Sequence, residues 1–247
     1  MGAKTALLVF ADGPPADLLR GVPAPSPEAT ASLVARTNPG WDGATIEGRT
    51  LHETVYPREG TVYAGSFPAV DVLCDQQVMV DRPSELPDHL LEAGAHRRRT
   101  VLHAMHSVVD WFAYAVWEDG TLVRSLSLSP ADGVIEDIGA PLDFERPYWA
   151  GDHPVEPVPG WPGADEPYPL PFHPLVLGET ALRALLGFVV EGRRLPTDVD
   201  PEAVALAGFQ VPVTDPITQE EIDESRRTHT LRRFTYGPDG TLVPIED

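Results

Sequence analysis

The chain has 247 residues, a formal net charge of −20 and one cysteine, Cys74. The lone cysteine excludes an intramolecular disulfide and a multi-cysteine zinc site, and it suits a reducing compartment. The acidity argues against a nucleic-acid binder, because phosphate contacts need positive charge. No apolar stretch approaches the roughly 20 residues of a membrane span, so we expect a soluble cytoplasmic protein.

The N-terminal residues predict a strand followed by a helix. The run TALLVFADG (5–13) is typical of a buried strand that ends in a turn. Ser26, Pro27 and Glu28 are typical of a helix start, because serine caps free amides, proline fits the first turn and glutamate faces the positive end of the helix dipole. We therefore expect a helix over 26–37.

The segments that follow also predict strands and helices. The pattern over residues 61–80 predicts one or two strands. The pattern over residues 84–94 predicts a short helix that is capped by Ser84. Apolar residues at helical spacing predict the longest helix over 178–192. A second helix start with the same capping pattern predicts a further helix over 200–208.

The segment 110–129 predicts a β-hairpin. Asp119-Gly120 is a strong two-residue turn, since both residue types accept the positive φ of a type I′ turn. This register places the following residues on one face: Trp111, Ala113, Ala115 and Trp117 against Leu122, Arg124, Leu126 and Leu128. The other face holds Asp110, Phe112, Tyr114 and Val116 against Val123, Ser125, Ser127 and Ser129. Arg124 among leucines either extends its head to the sheet edge or forms an anion-binding site.

Two histidines precede the hairpin in TVLHAMHSVVD (100–110). As a strand, which we favour because the segment has no helix cap, it places His103 and His106 on opposite faces. As a helix it would bring them together. His106, Ser107 and Asp110 form a loose His/Ser/Asp cluster, but no G-x-S-x-G elbow surrounds the serine. The cluster is the candidate site of a hydrolase or metal-dependent enzyme, with Ser107 or His103 assisting.

Residues 141–174 contain ten prolines and six aromatic residues. Proline blocks helices and central strands, but disordered segments are poor in aromatic residues. We therefore expect an ordered, irregular arm held by its rings. Tyr148, Trp149 and Trp161 are candidate binding residues, since tyrosine and tryptophan are enriched at binding hot spots.

Residues 211–247 predict an acidic linker, over 211–227, and a C-terminal hairpin around PDGTLV (238–243). We expect residues 1–210 to form a single α+β domain with a mainly antiparallel sheet. The 110–129 hairpin would lie at its centre, three or four helices would pack against it, and the proline-rich arm would wrap the outside.

Four segments together resemble a family of actinobacterial proteins catalogued only as a domain of unknown function: MGAKTALLVFADG, HAMHSVVDWFAYAVWEDGTLVRSLSLSP, PYWAGDHPVEPVPGWP and PYPLPFHPLVLGE. The resemblance spans about residues 1–210. It implies a cytoplasmic actinobacterial protein, and it supplies no reaction, cofactor or catalytic residue.

Three functions are consistent with the sequence. The first is a non-catalytic binding or regulatory module that engages a protein partner through the aromatic arm. The second is the enzyme built on His106 and Asp110. The third is a small-molecule anion binder at Arg124 or at the arginines of 97–99. We expect no cofactor and no metal site, and the sequence predicts no oligomeric state.

Overall fold

The computed structural model describes residues 2–156 and 167–213, and the backbone of two short strands near the C-terminus. The chain divides into two compact units: Met1–Pro154 with Pro169–Pro212, and Val155–Tyr168 with Val213–Asp247. In the second unit, Phe234–Tyr236 pairs antiparallel with Leu242–Pro244. This pairing agrees with the predicted C-terminal hairpin, whose other residues lie outside those that the structure describes. The domain boundary at residue 210 stays a prediction.

Nine strands of the first unit form one sheet. They are β1 Lys4–Ala11, β2 Thr45–Thr50, β3 Thr61–Ser66, β4 Val70–Cys74, β5 Arg99–His106, β6 Trp111–Glu118, β7 Thr121–Ser129, β8 Gly133–Ile138 and β9 Ala205–Gln210. The spatial order is β2-β9-β3-β4-β1-β5-β6-β7-β8. Each described pair of neighbours is antiparallel, which confirms the α+β class with a mainly antiparallel sheet.

The central strand of the nine is β1, flanked by β4 and β5, and the expectation that the 110–129 hairpin is central is wrong. The hairpin forms β6 and β7, the seventh and eighth strands of the order. A buried apolar strand shows that both of its faces are covered, but it does not show which strands lie beside it. Helices that pack on β6 supply the same burial that a central position would.

Within the part of the chain that the structure describes, six α-helices accompany the sheet: α1 Pro15–Leu18, α2 Pro27–Thr37, α3 Leu51–Thr54, α4 Asp88–Ala93, α5 Arg146–Trp149 and α6 Pro174–Leu186. The Ser26 cap of α2 is confirmed, since its side chain accepts a hydrogen bond from the amide of Ala29 at 3.3 Å. The longest helix starts earlier than expected, at Pro174. Its cap is His173, whose Nδ1 accepts from the amide of Leu175.

The short helix expected over 84–94 is present and ends at Gly94 as predicted, but it begins only at Asp88. Its predicted cap is wrong, because Ser84 lies in a 3-10 turn and its hydroxyl donates to Glu136 at 2.5 Å. The prediction of a helix over 200–208 is also wrong, because the chain enters strand β9 at Ala205, and β9 pairs with β2 on one side and β3 on the other. Local capping residues are overridden there by two ladders of backbone hydrogen bonds.

Helices cover both faces of the sheet. On one face, α2 and α4 contribute Leu33 and Leu90 to a core that includes Ala104 and Ala113. On the opposite face, α6 packs on β5 and β6, and its Gly178 lies against Phe112. Neighbouring strand residues point to opposite faces, so the two groups of helices sandwich the sheet in three layers.

A β-bulge in the hairpin reverses the predicted faces. Trp117 lies opposite Leu122 as expected, but Val116 lies opposite Arg124. Val123 is the extra residue. Because side chains alternate with period two, one inserted residue moves every later side chain to the other face. The predicted partition beyond the bulge is therefore wrong.

After the bulge, two sets of β7 side chains exchange neighbours. Arg124, Leu126 and Leu128 share the α6 face with Phe112, Tyr114 and Val116. Ser125, Ser127 and Ser129 share the α2 face with Trp111, Ala113 and Ala115. The Asp119-Gly120 turn itself is confirmed, since both residues have positive φ. The register error thus arises at Val123 and not at the turn.

Gly139 closes over the bulge, and we expect Gly139→Ala to lower the free energy of unfolding by about 2 kcal/mol. Its φ is +82°, and an added Cβ would lie 2.1 Å from the carbonyl oxygen of Val123. Gly120→Ala is the matched control, because Gly120 has a φ of +77° with open space around it. We expect about half the loss there. Urea unfolding followed by circular dichroism measures both, and equal losses would contradict the role of the contact.

Candidate functional site

The histidine pair of β5 is divided between the two faces of the sheet, as the strand prediction requires. His103 is fully buried beneath α6, where its Nε2 lies 2.9 Å from the carbonyl oxygen of Gly178. Thr5 Oγ1 lies 2.8 Å from Nδ1. A carbonyl can only accept, so Nε2 carries the proton and Thr5 donates to Nδ1. Burial lowers the pKa of His103 to about 4 against the opposing hydrogen bond to Gly178, so the ring is neutral and structural.

The other members of the predicted His/Ser/Asp cluster point elsewhere. Asp110 lies in the β5–β6 turn with its Oδ2 3.7 Å from Nε2 of His173. Ser107 packs its side chain directly on Gly2. Within the described residues, no hydrogen bond or ion pair joins the side chain of His106 to Asp110 or Ser107. The arrangement gives His106 neither a carboxylate to orient it nor a hydroxyl to activate.

Arg124 is buried and saturated with protein partners. Its Nε and Nη2 donate to the two carboxylate oxygens of Glu145 at 2.9 and 2.6 Å. Nη1 donates to Asp137 at 2.5 Å and to two backbone carbonyls. Burial alone would lower the pKa of Arg124, but the hydrogen bonds to the two carboxylates outweigh it and raise the pKa. The guanidinium is a structural cation, and an anion site would need one that is free.

The arginines of 97–99 are also engaged. Arg97 donates to Asp12 at 2.6 Å and to Asp71 at 3.0 Å, beside a cleft of about 800 Å³. Arg98 and Arg99 lie in ion pairs with acidic residues of the β6 end. The anion-binding hypothesis rested on free arginines, and the arginines that it named are paired with carboxylates of the protein.

The residues of the proline-rich arm that belong to the first unit pack within it. Tyr148 is buried, its ring meets Phe172 edge to face at 5.4 Å, and its hydroxyl lies 2.6 Å from that of Thr180. Trp149 is half-buried and donates from Nε1 to Glu145 at 3.3 Å. Trp161 lies outside the described residues. Little of the Tyr148 ring is left for a partner, and the binding role of the arm stays a prediction.

A smaller cleft, of about 400 Å³, opens where β5 ends and β6 begins. We call it the His106 cleft. Its walls come from the end of β5, the start of β6, the end of β7 and the segment before the 3-10 turn at Pro83. The lining residues are Met79, Asp81, His106, Val109, Trp111, Ser129, Ala131 and Asp132.

Two residues that line this cleft carry a buried polar atom without a protein partner among the described residues, Nδ1 of His106 and Nε1 of Trp111, and a third such atom, Oγ of Ser127, lies on the next strand. His106 lies directly opposite Trp111 on the neighbouring strand. Ser127 lies opposite Ala113, one side-chain position inward on the same face. Each buried polar group without a partner costs about 1–3 kcal/mol. Three such atoms on adjacent strands mark a surface suited to a polar ligand.

The electrostatics of the His106 cleft are set by two carboxylates and a neutral imidazole. Burial, and then the nearby charge of Lys4, lower the pKa of His106 below its ordinary value. Its ring meets Tyr56 edge to face at 5.9 Å. At the rim, Asp132 accepts a hydrogen bond from Ser129 at 2.8 Å. The site thus offers an indole N–H, a neutral imidazole and negative charge.

Sequence reasoning found His106 but missed Trp111, Asp81 and Asp132. The period-two pattern marked Trp111 as a core residue, and it is only 7% exposed. The predicted register also placed Ser129 on the face opposite Trp111, and only the bulge brings the two together. The sequence signal for the cleft was Trp111 at the start of β6, beside the polar end of β7 at Ser129.

Two further properties concern the described residues alone. They contain no group of three or more histidine, cysteine, aspartate or glutamate side chains placed to hold a metal ion. None of their helices combines the length and apolar character that a membrane span needs.

Comparison with known proteins identifies the family of the chain. A family model described as "Family of unknown function (DUF6928)" matches residues 5–209, which is most of the chain. No curated protein matches, and no solved structure matches. The match agrees in extent with the segments that carried the resemblance in the sequence. The chain therefore belongs to the DUF6928 family, whose function is unknown.

Proposed function

We propose that the chain is a non-catalytic binding protein and that the His106 cleft holds a small polar molecule. The observation that carries the proposal is the indole N–H of Trp111, which is buried at the cleft and has no protein acceptor among the described residues. A ligand that accepts this hydrogen bond relieves the cost of burying it. The cleft volume of about 400 Å³ falls within the range of small-molecule sites.

The proposal keeps the binding function predicted from sequence but moves its site from the aromatic arm to the sheet. The arm rings that the structure describes are packed, whereas the cleft carries buried polar atoms that the fold leaves unused. An enzyme built on His106 would need a nucleophile or an orienting carboxylate in contact with it. Asp110 contacts His173 and Ser107 contacts Gly2, so binding is the better supported function.

A fragment screen by ¹H–¹⁵N correlation spectroscopy tests the proposal. We expect some small polar molecules to shift the indole N–H signal of Trp111, assigned with Trp111→Phe. Trp41 supplies the internal reference, because its indole already donates to the carbonyl of Ala44 at 2.9 Å. Trp111→Phe should weaken binding about tenfold, the effect of one lost hydrogen bond to a buried donor.

The outcome that contradicts the proposal is a screen in which no molecule shifts the Trp111 signal. Equal affinity of the wild type and a folded Trp111→Phe variant would also contradict it. Circular dichroism and urea unfolding establish that the variant is folded before it is titrated.

A further inference from the structure

The charged side chains that line the His106 cleft are both carboxylates, Asp81 and Asp132. Among the described residues neither forms an ion pair, although Asp132 is held in place by the hydroxyl of Ser129. The charge of Lys4 acts on His106, but Lys4 lies over the ring of Tyr56, 5.2 Å from the centroid, outside the lining of the cleft. The rim of the cleft is therefore negative.

The interior of the cleft specifies the rest of the ligand. The indole N–H of Trp111 requires an acceptor, and the face of an indole ring also attracts a cation. Met79, Val109 and Ala131 supply apolar wall for a carbon skeleton. Since Trp111 is more than nine-tenths buried, its N–H is fixed before the ligand arrives. One small molecule that combines a cation, an acceptor and a carbon skeleton would satisfy all three.

We infer that the ligand of the His106 cleft is a small organic ammonium ion that carries a hydrogen-bond acceptor a few atoms from the charge. The ammonium group binds at Asp81 and Asp132, and the acceptor binds the indole N–H of Trp111. The inference rests on the proposed function, because it concerns the same cleft. The formal charge of −20 favours the same ligand class, since a strongly negative protein raises the local concentration of cations.

Three matched probes test the charge of the ligand: 2-phenoxyethylamine, 2-phenoxyethanol and phenoxyacetate. They share a phenyl ring and an ether acceptor, and they differ in being cationic, neutral and anionic. We expect the amine to shift the Trp111 indole signal and to bind at least tenfold more tightly than the alcohol, and we expect no shift from the acid. High salt should weaken the binding of the amine and leave the binding of the alcohol unchanged.

Variants of the rim provide the control. Asp81→Asn and Asp132→Asn should each lower the affinity for the amine several-fold without changing the affinity for the alcohol. Asp119→Asn is the matched substitution, because Asp119 is an exposed carboxylate in the turn at the other end of β6. It should leave both affinities unchanged.

The outcomes separate this inference from the proposed function. Binding of the alcohol or the acid as tight as that of the amine would overturn the ammonium assignment and leave the cleft as a binding site. If neither Asp81→Asn nor Asp132→Asn changes the affinity for the amine, the ammonium assignment is likewise overturned and the cleft remains a binding site. If none of the three probes shifts the signal, the charge of the molecules found in the fragment screen decides: cations support the inference, and neutral or anionic ligands overturn it. A screen with no ligand overturns both.

Discussion

Replacing Glu145 by alanine is expected to lower the free energy of unfolding by about 3–5 kcal/mol, the cost of leaving a buried charge without its partner. Arg124 and Glu145 are both fully buried, and two hydrogen bonds join them. The hydroxyl of Tyr114 also donates to Glu145. The variant therefore leaves Nε and Nη2 of Arg124 and the hydroxyl of Tyr114 without their shared acceptor in a buried site. Urea unfolding at neutral pH measures the loss.

Asp137→Ala is the matched control for the same guanidinium. Asp137 contacts Nη1 of Arg124, but its side chain is 48% exposed, and the carbonyls of Ile138 and Gly139 hold Nη1 as well. We expect a loss of about 1 kcal/mol or less, as for other solvent-screened ion pairs. Similar losses in the two variants would contradict the buried-pair explanation. Glu145→Gln, which keeps some of the hydrogen bonds, should lie between them.

The second large effect is a dependence of stability on pH that arises from His103. The unfolded chain has a histidine pKa near 6.5, whereas the pKa of His103 in the folded protein is about 4. Above pH 6.5 both states are neutral at this position. Between pH 6.5 and 4 the unfolded state binds a proton that the folded state does not, so stability falls as the pH falls. The contribution of this residue amounts to about 3 kcal/mol over that window.

Urea unfolding of the wild type and His103→Gln at pH 7, 5.5 and 4 measures this contribution. A carboxamide can donate to Gly178 and accept from Thr5, and it does not titrate. Carboxylates contribute equally to both proteins, so the difference between them isolates the histidine. We expect wild type to lose stability faster than His103→Gln as the pH falls. Parallel curves would show that His103 does not titrate in this range.

What the sequence predicts correctly here depends on short-range chemistry. The Ser26 cap, the Asp119-Gly120 turn and the strand that separates His103 from His106 are confirmed because each follows from residues a few positions apart. Strand β9 and the bulge at Val123 depend on partners far along the chain, and capping or alternation patterns do not report them.

The candidate site shows the same division. His106 is identifiable from its neighbours in sequence, but the cleft requires Asp81, Trp111 and Asp132 from three separate segments. Arg124 illustrates the reverse case. It was a candidate because a cation lay among leucines, and the partner that explains it, Glu145, lies in the proline-rich segment, where composition indicates no ion pair. Pairing across the chain thus decides which polar residues are free.

The order of the sheet also bears on how the protein behaves at high concentration. Strands β2 and β8 stand at its two ends, where unpaired backbone groups invite a strand from a second molecule. The pairing of β2 is interrupted between Ile46 and Arg49, and β8 carries Glu136 inward and Asp137 outward. Irregular pairing and charge at an outer strand oppose edge-to-edge growth. We therefore expect the carboxylates that hold β8 to its own sheet, Glu136 and Asp137, also to oppose fibrous aggregation.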